Sequence, residues 1–219
     1  MMEPDVTLTD FALALECAVF CALATRWPAE DPRMRRSWVI LFGSVGIGSL
    51  FGGLVHGWFS GSTNWGYALL WAATLLFLGI TSTAMWMIGS YVLLDEEKGT
   101  LVRRAAIALL TIYATVVLFV SQRFLVAIAM YLPATIFILV AFVLECRRSS
   151  DRFLLPAIIG LSLTFVAAAV QQLGIDIHPV YFNHNALYHA IQAVGLLLLF
   201  LGARVLTQRG GAPGESVSV

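Results

Sequence analysis

Residues 37–94 read SWVILFGSVGIGSLFGGLVHGWFSGSTNWGYALLWAATLLFLGITSTAMWMIGSYVLL and contain no Asp, Glu, Lys or Arg. An uncharged run of this length is too long for one buried helix of a soluble protein and long enough for two bilayer crossings. The polar stretch SGSTN at residues 60–64 divides it. A soluble domain carries about 25% charged residues, whereas this chain carries 12%. The sequence therefore predicts an integral membrane protein.

Five more apolar segments accompany this run, each close to the length that a transmembrane helix needs. The seven predicted spans are residues 9–27, 37–59, 65–93, 105–121, 124–145, 153–173 and 183–205. The predicted fold class is therefore all-α, a seven-transmembrane helix bundle. It forms one membrane domain over residues 1–208, and residues 209–219, rich in Gly, Pro and Ser, are expected to be a disordered cytoplasmic tail.

The basic residues predict the orientation of the bundle. All Lys and Arg residues except Arg123 fall on one side of the predicted topology. Cytoplasmic loops carry an excess of Lys and Arg, so the N-terminus is expected outside and the C-terminus in the cytoplasm. The short loops suggest a compact protein of a bacterial inner membrane, with membrane lipids as partners. A net charge of zero gives no indication of nucleic-acid binding, and the sequence carries no signal for an oligomeric state.

The histidines are the most specific feature within the spans. His56 lies near the end of the second span, and His184 and His189 lie near the start of the seventh, on the same predicted side of the bilayer. An imidazole inside a span is costly enough to favour a partnered role. The three histidines are therefore a candidate metal site. On a regular helix His184 and His189 differ by about 140°, so both can bind one ion only where the backbone near His184 is not yet helical.

Three of the histidines also have a simpler interpretation. His56 is then a packing residue bonded to a carbonyl group or to water, and His184 is an interfacial residue or a helix cap. His178, which precedes Pro179 in a loop, is then a solvated residue.

Other polar residues extend the candidate site. Ser49, Gly52 and His56 share one face of the second span, and Asn185, His189 and Gln192 follow i, i+4, i+7 spacing on the seventh. A polar stripe of this kind should face the interior of the bundle.

Glu16 lies within the first span, and an intramembrane carboxylate is a functional candidate. Its alternative role is to orient helices. Further hydroxyl and amide groups either line the same cavity or bond neighbouring helices: Thr81, Ser82, Thr83, Gln171 and Gln172.

A histidine late in the second span, and Asn-Ala-Leu-Tyr-His at residues 185–189 opening the seventh, resemble the alkaline ceramidase and adiponectin-receptor superfamily. Members of that superfamily bind zinc in a seven-helix bundle, and the ceramidases hydrolyse lipid amides. The resemblance matches His56 to the second-span histidine and His189 to the last histidine of a seventh-span pair. It matches Glu16 to a first-span glutamate that helps form a calcium site in the ceramidases.

The chain departs from the superfamily pattern at three positions. Gly52 stands in place of a serine, Asn185 in place of the first histidine of the pair, and Asn64 or Tyr67 in the region of an aspartate. These departures favour a catalytically degenerate binder of a lipid or small molecule. The alternative is a zinc-dependent membrane hydrolase of lipid amides or esters, in which the histidines hold an ion that activates water. The sequence assigns no catalytic residue, and it carries no discontinuous-helix or repeat signal for transport.

Overall fold

A computed structural model of the protein describes residues 1–59, 65–149 and 152–209. Within these ranges the chain forms seven α-helices, each long and apolar enough to cross a membrane. They are α1 (Pro4–Ala24), α2 (Pro32–Leu54), α3 (Trp65–Leu93), α4 (Glu96–Phe119), α5 (Phe124–Arg148), α6 (Leu155–Leu173) and α7 (His184–Arg209). The predicted all-α bundle of seven membrane-length helices is confirmed. The SGSTN stretch and all but the first residue of the predicted tail lie outside the described residues.

Three helices begin earlier than the predicted spans, because an apolar segment is only the middle of a helix. α1 and α2 start at Pro4 and Pro32, where a proline at the first helical position costs no hydrogen bond. α4 starts nine residues before the predicted 105. The Asp95 side chain caps it by accepting from the backbone N–H of Lys98 at 2.9 Å, and hydrogen bonds from Lys98 hold the pKa of Asp95 below its ordinary value.

The core forms where α1, α2, α3, α5, α6 and α7 meet. Large side chains fill it, among them Trp38 and Phe42 of α2, both fully buried. Phe200 of α7 stacks on Phe20 of α1 with ring centroids 4.3 Å apart. α6 packs along α7 over much of its length, whereas α5 and α6 contact each other little. The bundle therefore has a gap between α5 and α6.

Candidate functional site

A small cavity of about 100 Å³ brings together polar residues from several helices. Its wall includes His56, His189, Ser49 and Gln192, all four of which the sequence analysis selected. It also includes Asp10, which the sequence analysis did not select. The spacing arguments for the second and seventh spans thus lead to side chains that meet in one place.

His56 lies in a π-helical turn, Val55–Phe59, that continues α2. Such turns are rare and occur frequently at functional sites. The start of the chain folds over this turn: the Glu3 N–H donates to the His56 carbonyl (3.2 Å), and the Met2 N–H donates to the Gly57 carbonyl (3.1 Å). A Glu3 carboxylate oxygen lies 3.0 Å from His56 Nδ1. Because an ionised carboxylate only accepts hydrogen bonds, Nδ1 carries the proton of this contact.

His189 is held on both ring nitrogens by residues of α1. Its Nδ1 lies 3.1 Å from Thr9 Oγ1, and its Nε2 lies 3.4 Å from Asp10 Oδ1. The Thr9 hydroxyl already donates to backbone carbonyls of its own helix, such as that of Val6 at 2.9 Å. Nδ1 of His189 is therefore the donor to Thr9, and Nε2 faces the Asp10 carboxyl group at ion-pair distance.

Asp10 is only 4% exposed, and its Oδ2 has no hydrogen-bond partner among the described residues. Gly52 faces it from α2: a Cβ added at Gly52 would lie 3.3 Å from Oδ2. A buried polar atom ordinarily has a partner. Asp10 therefore leaves one acceptor oxygen in the cavity wall, opposite a residue with no side chain.

The sequence analysis missed Asp10 because the predicted first span began at residue 9, which placed Asp10 at the membrane interface. The helix begins at Pro4, so Asp10 lies nearly two turns inside it. A signal was present: Asp10 belongs to the buried stripe Val6, Asp10, Leu13, Cys17, Phe20 and Ala24, at helical spacing. That stripe places it on the inner face of α1.

His184 does not line the cavity that contains His56 and His189. It is the first residue of α7, and its Nδ1 lies 3.0 Å from Asp176 Oδ1 in the loop before the helix. The side chain of Asn183 caps the helix by accepting from the N–H of Asn185 (2.9 Å) and of Ala186 (3.1 Å). Regular helix thus begins at His184, which directs it away from the face of His189.

Asn185 and Glu16 also lie outside the lining of the cavity. The Asn185 side chain accepts a hydrogen bond from Gln171 Nε2 at 3.0 Å, which joins α7 to α6. Glu16 is half-buried, and its Oε2 has no hydrogen-bond partner among the described residues.

The remaining predicted polar residues divide between the two expected roles. Gln171 lines the cavity, and Gln172 lines the groove next to it. Thr81 Oγ1 and Ser44 Oγ lie 2.8 Å apart and join α3 to α2. Ser82 and Thr83 donate to carbonyls of their own helix, as helix-packing hydroxyls do.

The donor groups do not form a ready zinc site. Catalytic zinc sites usually have three protein ligands and a water. Within the ranges that the structure describes, no three His, Cys, Asp or Glu side chains are grouped so that they could hold one ion. Both nitrogens of His189 and Nδ1 of His56 already face Thr9, Asp10 and Glu3. In this arrangement the residues do not fit a bound zinc ion.

An apolar groove of about 280 Å³ adjoins the polar cavity. The two share six lining residues, which are Leu78, Phe124, Tyr131, Gln171, Tyr188 and Gln192. Most of the rest of the groove wall is apolar and comes from α5 and α6, including Ile128, Leu132, Phe165 and Ala168. A polar cavity is thus continuous with an apolar groove in the gap between α5 and α6.

Comparison with known proteins gives one match. No curated protein and no solved structure matches the chain. A family described as a family of unknown function, DUF6962, matches residues 6–208, a range that includes nearly all of α1 and the whole of α2 to α6. The chain therefore belongs to this family.

Proposed function

We propose that this protein binds a single-chain amphiphile, a lipid or lipid-like small molecule, within its helix bundle. The polar head lies in the cavity of Asp10, His56 and His189, and the hydrocarbon chain lies in the groove between α5 and α6. The observation that carries the proposal is the wall that the polar cavity and the apolar groove share.

The size and lining of the groove support one chain rather than two. Pockets for small ligands typically measure about 300–1,000 Å³, so a groove of about 280 Å³ suits a single hydrocarbon chain. Burying apolar surface there supplies affinity, at roughly 25 cal/mol per Å² before the costs of binding. A few polar groups at the inner end then fix the orientation of the ligand.

At two positions of the motif that the chain resembles, Gly52 and Asn185 favour binding over hydrolysis. Gly52 has no hydroxyl group to offer, and it lies against Asp10. Asn185, in place of a histidine, is bonded to Gln171 outside the cavity.

Blocking the groove tests the proposal. We expect Ala168→Phe, which places a ring in the groove, to abolish stabilisation by 1-monododecanoylglycerol. Ala129→Phe is the matched control, because Ala129 is also exposed on the helix surface but does not line the groove. With the protein in nanodiscs of a two-chain zwitterionic lipid, a ligand at 100 times its Kd adds about 2.7 kcal/mol to the wild-type unfolding free energy. No rise in the wild-type unfolding temperature, or an equal rise in both variants, would overturn the proposal.

The second candidate is a zinc-dependent hydrolase, which the placement of His56 and His189 in one cavity favours. Elemental mass spectrometry of the wild type, His56→Ala and His189→Ala separates it from simple binding. About one zinc ion per chain, lost in both variants, is what a shared zinc site requires. No zinc in the wild type, even after zinc is added, eliminates the hydrolase.

A further inference from the structure

We infer that the cavity selects a head group that donates hydrogen bonds and carries no negative charge, such as an alcohol, an amide or an ammonium group. This inference rests on the proposed function and names the chemical class of its ligand. The geometry that carries it is the buried Asp10 oxygen, unpartnered among the described residues, at a cavity whose described lining contains no Lys or Arg.

The charges around the cavity exclude an anion. No Lys or Arg is among the described residues that line the cavity or the groove. The two histidines do not supply a free positive charge, because His189 faces Asp10 at 3.4 Å and His56 faces Glu3 at 3.0 Å. A carboxylate or phosphate head would lose its hydration beside the acidic Asp10 side chain and find no free cation to pair with.

Two hydrogen-bond acceptors at the cavity, on Asp10 and His56, favour a head group that supplies a donor. Asp10 Oδ2 is buried without a hydrogen-bond partner among the described residues, and the carboxyl group packs against Gly52, whose missing side chain leaves space for it. A neutral imidazole whose Nδ1 donates to Glu3 offers Nε2 as an acceptor, and His56 is placed to do so when it carries no charge. A hydroxyl, an amide N–H or an ammonium group supplies the missing hydrogen, and a ligand with acceptors alone leaves Asp10 unsatisfied.

Three probes that share a twelve-carbon chain test the inference: dodecylamine, dodecanol and dodecanoate. Each is titrated against the protein in nanodiscs while the unfolding temperature of the protein is recorded. We expect the amine and the alcohol to bind the wild type. Dodecanoate should bind at least about tenfold more weakly, because its carboxylate loses its hydration in a cavity where no Lys or Arg of the described lining can pair with it.

Replacing the Asp10 carboxyl group by an amide distinguishes its role from general packing. We expect Asp10→Asn to weaken dodecylamine about tenfold, because an amide oxygen accepts a hydrogen bond from an ammonium group more weakly than a carboxylate does. Dodecanol should change less, since the amide oxygen still accepts. Glu145→Gln is the matched control: Glu145 Oε2 is also buried without a hydrogen-bond partner among the described residues, but it lies outside the cavity and the groove. Gly52→Ala, whose added Cβ would lie 3.3 Å from Oδ2 and displace the carboxyl group, should weaken the amine as well, whether or not Asp10→Asn folds.

The outcomes separate the two proposals. Dodecanoate binding as tightly as dodecylamine, or dodecylamine binding unchanged by Asp10→Asn and Gly52→Ala, overturns the inference and leaves the amphiphile site standing. If none of the three probes binds the wild type, the proposed function fails and the inference fails with it.

Discussion

Asp10 and Gly52 together determine how much room the head-group cavity offers. Asp10 stands on α1 and Gly52 on α2, and the carboxylate fills the space that a side chain at position 52 would take. Asp10 faces Nε2 of His189, whose other nitrogen bonds Thr9. Each member of this pair is therefore oriented by the other, and a small change at Gly52 acts on both.

Gly52→Ala should reduce amphiphile affinity about tenfold, a cost of about 1.4 kcal/mol. The added Cβ lies 3.3 Å from Asp10 Oδ2, so the carboxylate must move into the cavity. Gly43→Ala is the control, because its Cβ meets Cys21 Sγ at an ordinary 3.5 Å. Titration of 1-monododecanoylglycerol against both variants measures the effect. Equal affinities would show that the space before Asp10 is not where the head binds.

Part of the site could be predicted residue by residue, because helical spacing determines which side chains share a face. Helical spacing within one span places His189 and Gln192 on one face, and they do line one cavity. Spacing does not show which face of α1 turns inward until the start of the helix is known, so Asp10 was missed. The interaction of His56 with Glu3 joins residues from separate elements and depends on the π turn. No periodicity in the sequence indicates that turn.

α6 and α7 approach each other more closely than they could if larger side chains lay between them, because glycines of the two helices meet at the contact. A Cβ at Gly160 would clash with the carbonyl oxygen of Gly195 and lie 2.9 Å from the Leu199 nitrogen. These are backbone atoms, which cannot move without shifting α7. Small residues let membrane helices approach in this way. The contact holds α6 against α7 and leaves the gap toward α5, where the groove lies.

Gly160→Ala should therefore destabilise the protein by about 1–3 kcal/mol, the usual cost of overpacking. It should also weaken ligand binding, because α6 forms one wall of the groove. Thermal unfolding in nanodiscs measures the first effect, with Gly43→Ala as the control for adding a methyl group to a membrane helix. An unfolding temperature equal to that of the wild type would contradict the close contact between α6 and α7.

For the whole molecule, the orientation in the membrane remains a prediction from the basic residues. Green fluorescent protein fused after Val219 should fluoresce, and alkaline phosphatase fused there should be inactive, because the first folds in the cytoplasm and the second only outside it. The reverse pattern would contradict the predicted orientation. The cavity lies near the start of α1, the start of α7 and the end of α2. If the N-terminus is outside, the cavity therefore lies toward the outer leaflet.

The number of helices followed from the sequence because each crossing needs about 20 apolar residues, and seven such segments are separated by polar breaks. The packing of the helices did not follow from it. Hydropathy does not distinguish a helix that touches its neighbour from one that stands apart, so the gap between α5 and α6 was not predicted. The groove depends on that gap.

The most direct test of the account is to identify what the protein carries after purification. Extraction and mass spectrometry of the wild type, His189→Ala and Glu145→Gln compare the bound molecules after thorough delipidation. We predict about one single-chain amphiphile per chain, with a head that is not acidic, in the wild type and in Glu145→Gln but not in His189→Ala. The same lipids in equal amounts in all three proteins would contradict a ligand site at the cavity of Asp10, His56 and His189.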